Sequence, residues 1–264
     1  MRRLFAPLFV FFALAAQAGE APKTLTLAVA ANMAACVEAL DAEFAKQHPG
    51  VAIKVATGSS GNFFAQIRNG APFEVFISAD MDYPRKLVAA GLAQGDTLRL
   101  YALGRLALWT NTPGINPGRG RTVFTAASTT RIAIANPETA PYGRAAMIAM
   151  QNLNVADAAK DKLVIGESVA QAVQFVQTGN AEIGLVPYSL LIAPPLKGVG
   201  IYILLPGGSY PLIEQGAVVT QKGAANPLAK AYAEFLGSDA ARAILEENGY
   251  ELPAAAAPSG KKAH

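Results

Sequence analysis

Cysteine is almost absent. Cys36 is the sole one in 264 residues, so no intrachain disulfide and no cysteine-based metal site can form. It sits on an amphipathic helical stretch and reads as a small buried apolar residue. Histidine is scarce too. His48 precedes Pro49 at an expected helix end and His264 is the last residue, so neither is placed to ligate a metal or to act as a base. An oxygen-only cation site is the one metal chemistry the composition leaves open. No Gly-x-Ser-x-Gly elbow occurs, and no Gly-Lys-Ser/Thr ending of a phosphate-binding P-loop. Asp80 and Asp82 follow a strand closely enough to suggest a carboxylate pair, but end-of-strand hydrogen bonding and an N-cap are their simpler roles. With no nucleophile–base pair in reach, no catalytic residue is assigned and no enzyme is expected; a hydrolase or transferase acting on phosphorylated substrates would need such a pair.

An excess of charge of one sign is lacking as well. The formal net charge is +3. Residues 1–18 hold two arginines and no acid, so without them it falls to +1, and Lys261 and Lys262 lie in the tail. A nearly neutral body argues against nucleic acid or an acidic membrane surface as partner. Beyond residue 18 no stretch is apolar enough to span a bilayer.

What is present begins with an export signal. Arg2 and Arg3 form a basic start, Leu4 to Ala16 is apolar, and Ala16-Gln17-Ala18 is a small-x-small cleavage site. This predicts a signal peptide over 1–18, cleavage before Gly19 and an exported protein. No cysteine adjoins the cut, so a lipid anchor is not expected.

The rest alternates short apolar runs with helical spacing, the pattern of an α/β fold with mostly parallel sheets flanked by helices. Strands are predicted at 25–31, 51–56, 73–79, 131–135, 163–166, 183–186, 199–205 and 214–220. Helices are predicted from Met33, whose spacing continues through Val37, Leu40 and Phe44 to Pro49, and from Asn62 to Gly70. Others cover 82–90, 142–152, 168–178, 227–236 and 239–248. Leu98 to Thr110 is one long extended run, followed by a Pro/Gly-rich loop over 111–121. Pro253 to His264 is expected to be a disordered tail.

Four strand-to-helix junctions stand out: Ala30-Ala31-Asn32, with Asn32 as N-cap; Gly58-Ser59-Ser60-Gly61; Asn136 to Gly143; and Gly166-Glu167-Ser168-Val169. In an open α/β sheet such junctions lie at the carboxyl ends of strands, where ligands bind. Each helix start offers unpaired N–H groups and a positive dipole end, which suit an anion. Taken singly, each is an ordinary helix cap. The glycines of the second let backbone approach a ligand closely. No Lys or Arg lies within the first, second or fourth, and Arg144 should point along its own helix. A fully ionised tetrahedral dianion needs donors only, whereas monohydrogen phosphate would need an acceptor. Glu138 and Glu167 could serve, but read more simply as solvated first-turn acids.

At these junctions the chain resembles the periplasmic molybdate-binding proteins of ABC importers. The resemblance runs from about Thr24 to Leu252. It rests on the order and spacing of Ala28 to Asn32, Gly58 to Asn62, Phe73 to Asp80, Asn136-Pro137-Glu138, Glu167-Ser168-Val169 and Ile183 to Val186. It implies a two-lobed, type II periplasmic binding fold with two crossing strands. With those strands near residues 103 and 214, lobe 1 comprises 19–104 and 209–252, and lobe 2 comprises 105–208. It implies molybdate or tungstate as ligand, with sulfate or phosphate as the alternative, no cofactor, no cationic metal site, delivery to an inner-membrane ABC permease, and a monomer. Carried over residue by residue, the ligand contacts are Asn32, Ser60, Tyr142 and Val169, the last two through backbone N–H. Glu74 stands where many members have Asp and is read as structural. The tyrosine that some members place after the Gly-x-Val run falls on Pro187, with Tyr188 shifted by one, so no fifth contact is assigned.

Overall fold

The computed structural model describes residues 24–254; the expected signal peptide and most of the expected tail lie outside them. In chain order the elements are β1 (Thr24–Ala30), α1 (Val37–Gln47), β2 (Ala52–Gly58), α2 (Ser60–Arg68), β3 (Val75–Ser78), α3 (Asp82–Ala89), β4 (Arg99–Gly104) and β5 (Leu106–Thr110). There follow α4 (Thr122–Thr125), β6 (Ile132–Ala135), α5 (Pro141–Asn152), α6 (Ala156–Ala159), β7 (Leu163–Gly166), α7 (Val169–Gln177), β8 (Ile183–Pro187) and α8 (Tyr188–Leu191). The last are β9 (Ile201–Leu204), β10 (Ile213–Val219), α9 (Pro227–Phe235) and α10 (Asp239–Glu247). Among the described residues no helix is long and apolar enough to cross a membrane.

The strands form two five-stranded sheets, ordered β2-β1-β3-β10-β4 and β7-β6-β8-β5-β9. The two orders are equivalent: β1, β2 and β3 correspond to β6, β7 and β8. In each sheet those three strands pair in parallel, and the fourth and fifth pair antiparallel. The sheets are therefore mixed. The parallel pairing anticipated from the βα alternation holds for the first three strands of each. The antiparallel pairs arise because the fourth strand, β10 or β5, has just crossed from the other half.

The crossing explains the long apolar run over 98–110. It is two strands in two sheets, β4 and β5, parted by Arg105 alone. The chain returns between β9 and β10, and α9 and α10 then pack against the first sheet.

Burial follows the two-residue period of a strand covered on both faces. Leu25, Leu27 and Val29 of β1 join the cluster beneath α1, α9 and α10, whereas Ala28 joins the opposite cluster with Phe63 and Leu87. Val75 and Ile77 of β3 divide from Phe76 in the same way. Val37, Leu40 and Phe44 lie on the inner face of α1. Met33 is buried with them but precedes the helix: Ala31–Met33 is a short 3-10 turn, and α1 begins only at Val37. The second sheet has its own core around Trp109, Phe124, Tyr142 and Ile134. Ala30, Ala31 and Ala79, at strand ends of the first sheet, belong to that core too. The two halves thus meet where the β1 and β3 strands end.

Candidate functional site

All four junctions converge at this meeting place. A single cleft is lined by Ala30 to Asn32, Gly58 to Ser60, Ala79, Ala140 to Tyr142, and Val169. Asn32, Ser60, Tyr142 and Val169 are each at most 5 % exposed. The cavity volume of the cleft is about 10 Å³, close to the roughly 10–15 Å³ that a single water needs. Its occupant must be small. No charged side chain lines it, and among the described residues no group of three His, Cys, Asp or Glu could hold a metal ion.

Each junction contributes by local chain geometry. Ser59 caps α2, its Oγ accepting from the Asn62 N–H at 3.4 Å. That leaves Ser60 as the first helical residue. Ser60 Oγ accepts from the Ala79 N–H at 2.9 Å, so its own hydrogen can donate elsewhere. Ser168 caps α7 in the same way through the Gln171 N–H at 3.4 Å, with Val169 first in the helix. Asn136 folds its junction into a turn: its Oδ1 accepts from the Glu138 N–H at 2.9 Å and its carbonyl from Thr139 and Ala140. Pro141 and Tyr142 then open α5. The N–H groups of Asn32, Ser60, Tyr142 and Val169 find no acceptor among the described residues, as the first turn of a helix dictates.

Asn32 differs from expectation. It does not cap a helix. The residue in the capping position of its 3-10 turn is Ala30, and no side chain caps it. The Asn32 amide is turned away from its own turn, donating to Gln215 Oε1 and to the Tyr250 hydroxyl, both at 2.8 Å. Its carbonyl accepts from Tyr250 Oη at 2.9 Å and from Ser189 Oγ at 3.0 Å. Tertiary partners have overridden the local capping preference. Both amide hydrogens are spent, so the N–H is the donor Asn32 has left for a ligand.

The Tyr142 ring is fully buried and burial pushes its phenol well above the ordinary tyrosine range. Its hydroxyl approaches Gly104 at the crossing, where a Cβ would lie 2.1 Å from it. The phenol therefore packs beside the crossing strand.

Arg144 also departs from expectation. It reaches across to the other half, pairing with Asp80 and donating to Tyr83 Oη at 3.4 Å. Asp80 accepts from Ser78 Oγ at 3.1 Å and from the Tyr83 N–H at 3.0 Å. Burial holds its carboxyl above the ordinary aspartate value despite the Tyr83 N–H and the Arg144 guanidinium. Gly61 faces the other half, not the cleft: its N–H donates to the Thr139 carbonyl at 2.8 Å.

Glu138 and Glu167 are exposed, consistent with solvated acids. Glu74 is structural: its carboxylate accepts from the Thr26 N–H at 2.8 Å and from Asn226 Nδ2 at 2.7 Å. Pro187 and Tyr188 do not line the cleft. The Tyr188 N–H donates to the Arg105 carbonyl and its ring lies 4.4 Å under the Arg105 guanidinium. Sequence reasoning missed Ala79 as a cleft residue, and it placed Ala31, Ala140 and Pro141 in the junctions without singling them out. Small side chains carry no chemical signal, and the available cue was only that each stands at or beside a strand or helix end.

The chain is similar to known proteins over most of its length. Residues 25–251 match the family model described as bacterial extracellular solute-binding protein. The molybdate-binding protein ModA of Azotobacter vinelandii is 40 % identical over 240 residues, covering 91 % of this chain and 93 % of that one. The molybdate-binding protein ModA of Rhodobacter capsulatus is 40 % identical over 238 residues, covering 90 % of each. The solved structure of the Azotobacter vinelandii periplasmic molybdate-binding protein superimposes with a TM-score of 0.80 at 36 % identity, covering 87 % of this chain and 99 % of that one.

Proposed function

Because the chain belongs to the bacterial extracellular solute-binding proteins, we propose that it captures molybdate, or tungstate, in the periplasm and delivers it to an inner-membrane ABC permease. It is a binding protein and not an enzyme, and the oxyanion is cargo, not a cofactor. One observation carries the ligand class: four helix or turn starts, two from each half, meet at one small cleft without a charged side chain, and their first N–H groups have no backbone acceptor among the described residues.

Aligned peptide dipoles place partial positive charge at each start, and N–H donors suit an oxyanion. In this reading Asn32, Tyr142 and Val169 donate through N–H, and Ser60 through N–H and hydroxyl. The cleft has no carboxylate to accept a ligand proton, which favours a fully deprotonated dianion over monohydrogen phosphate. In this reading the two lobes are 19–104 with 209–252 and 105–208, each built around one of the two sheets, with the hinge where β4 passes to β5 and where the chain returns to β10. Closing the lobes buries the dianion and makes the shape a permease recognises. The mature protein starts near Gly19 after removal of residues 1–18 and acts as a monomer.

The test is elemental analysis with native mass spectrometry of the protein as isolated, followed by stripping and titration. One molybdenum or tungsten per chain is expected, with heat stability rising saturably with added molybdate. Competition by sulfate and phosphate should be weak. A metal-free protein that gains no stability from millimolar molybdate sinks the reading.

A further inference from the structure

Four contacts join the first half to the segment 138–144 of the second. The Gly61 N–H donates to the Thr139 carbonyl, and the Tyr83 hydroxyl donates to the Glu138 carbonyl at 3.2 Å. Arg144 pairs with Asp80 and also donates to Tyr83 Oη. The guanidinium carbon lies 5.4 Å from the Tyr83 ring centroid, within cation–π range. Asp80 is held in place by its own half, through Ser78 and the Tyr83 N–H. The pair is partly withdrawn from water, with Asp80 13 % and Arg144 36 % exposed.

These contacts stand next to the ligand cleft. Ala79 and Pro141 line both the cleft and the neighbouring cavity that holds Asp80 and Arg144. Asp80 directly follows Ala79, whose N–H positions Ser60 Oγ, and Arg144 lies two residues beyond Tyr142. Drawing Asp80 and Arg144 together therefore draws together the two backbone segments that supply donors from opposite halves.

We propose that Asp80, Arg144 and Tyr83 form a clasp between the halves that sets how slowly a captured oxyanion leaves. This rests on the molybdate reading above. The three are positioning residues and touch no ligand. Arg144 can meet Asp80 and Tyr83 only when the halves are together, so its contacts with them stabilise the closed state alone. A closed-state interaction slows release, while capture by the open form is governed by diffusion and access and stays nearly constant. The pairing also neutralises Arg144. The cleft keeps its neutral donors, and no unpaired guanidinium is left beside it to favour anions in general.

The experiment loads the full mature protein with radiolabelled molybdate and chases it with excess unlabelled molybdate, timing release. Association is measured separately. Arg144→Gln and Asp80→Asn should each release about tenfold faster, with association unchanged within twofold. The double variant should release no faster than either single, and Arg144→Lys should restore much of the wild-type rate. Singles that release at the wild-type rate, or a double variant whose effect is the product of the singles, overturn the clasp. So does a slowed association with unchanged release. Wild-type protein that retains no label overturns the molybdate reading itself, and the clasp's cargo with it.

Discussion

Asn32 and Gln215, 183 positions apart, share a buried hydrogen bond of 2.8 Å from Asn32 Nδ2 to Gln215 Oε1. Gln215 lies on β10, the strand that returns from the second sheet, so this bond ties a cleft junction to a crossing segment. The Tyr250 hydroxyl ties the same junction to the segment that follows α10. Asn32→Ala deletes both bonds of the amide and leaves Gln215 Oε1 buried without this donor. A loss of about 2–4 kcal/mol in unfolding free energy is expected for the ligand-free protein. Denaturant unfolding measures it. Unchanged stability would mean the network is not formed in solution.

Ser60 is placed to give a hydroxyl hydrogen as well as an N–H, because its oxygen already accepts from Ala79. Ser60→Ala should weaken molybdate binding by about 1–3 kcal/mol. Titration calorimetry reads this directly. Ser60→Thr keeps the hydroxyl and, if its methyl is accommodated, should bind better than the alanine variant. Equal affinities for wild type and Ser60→Ala would reduce Ser60 to a backbone donor.

Acid stability carries a separate signature. Burial pushes the Asp41 carboxyl up to about 6, against the hydrogen bond it accepts from Tyr232 Oη at 2.6 Å, and Glu38 adds a smaller push. The ordinary value is 3.8. The folded state therefore holds this proton more tightly than the unfolded chain does, and its stabilising effect is complete below the ordinary value. The contribution is lost as pH rises through about 6. Asp41→Asn cannot titrate. Melting curves from pH 4 to pH 8 should show wild type losing stability relative to Asp41→Asn between the two values, and a constant difference above pH 7. Parallel curves throughout would show that Asp41 keeps an ordinary affinity for its proton.

The parts of the fold legible in the sequence were those fixed locally. Apolar runs gave the strands, and Pro49, Gly70, Gly91 and Gly179 stand at or just past helix ends as expected. The four proposed contacts could be singled out because a helix or turn start is a local feature and the family resemblance suggested its use. The division of 98–110 into two strands was not legible, since both halves are apolar and only Arg105 marks the change. Long-range partners were hidden for a stronger reason. Asn32 looked like a cap until topology brought Gln215, Tyr250 and Ser189 to it. Arg144 was expected to point along its own helix, but the fold places Asp80, 64 positions away, within its reach.

Gly61 offers a prediction in which stability and binding change in opposite directions. It is the second residue of α2, where alanine is intrinsically the better helix former by up to about 1 kcal/mol. Yet a Cβ there would lie 2.8 Å from Thr139 Cα, 2.9 Å from the Thr139 carbonyl oxygen and 2.7 Å from Tyr83 Oη. The first two are backbone atoms of the other half and cannot swing aside as a side chain can. The methyl acts as a wedge against closure while leaving the helix intact. Gly61→Ala should therefore melt no lower than wild type without ligand, and bind molybdate at least tenfold more weakly. The Thr139 bond is also lost if the halves stay apart, so small-angle scattering of the variant with saturating molybdate should show a larger radius than the wild-type complex. Wild-type affinity in Gly61→Ala would mean that the halves close over the ligand without the close approach of Gly61 to Thr139.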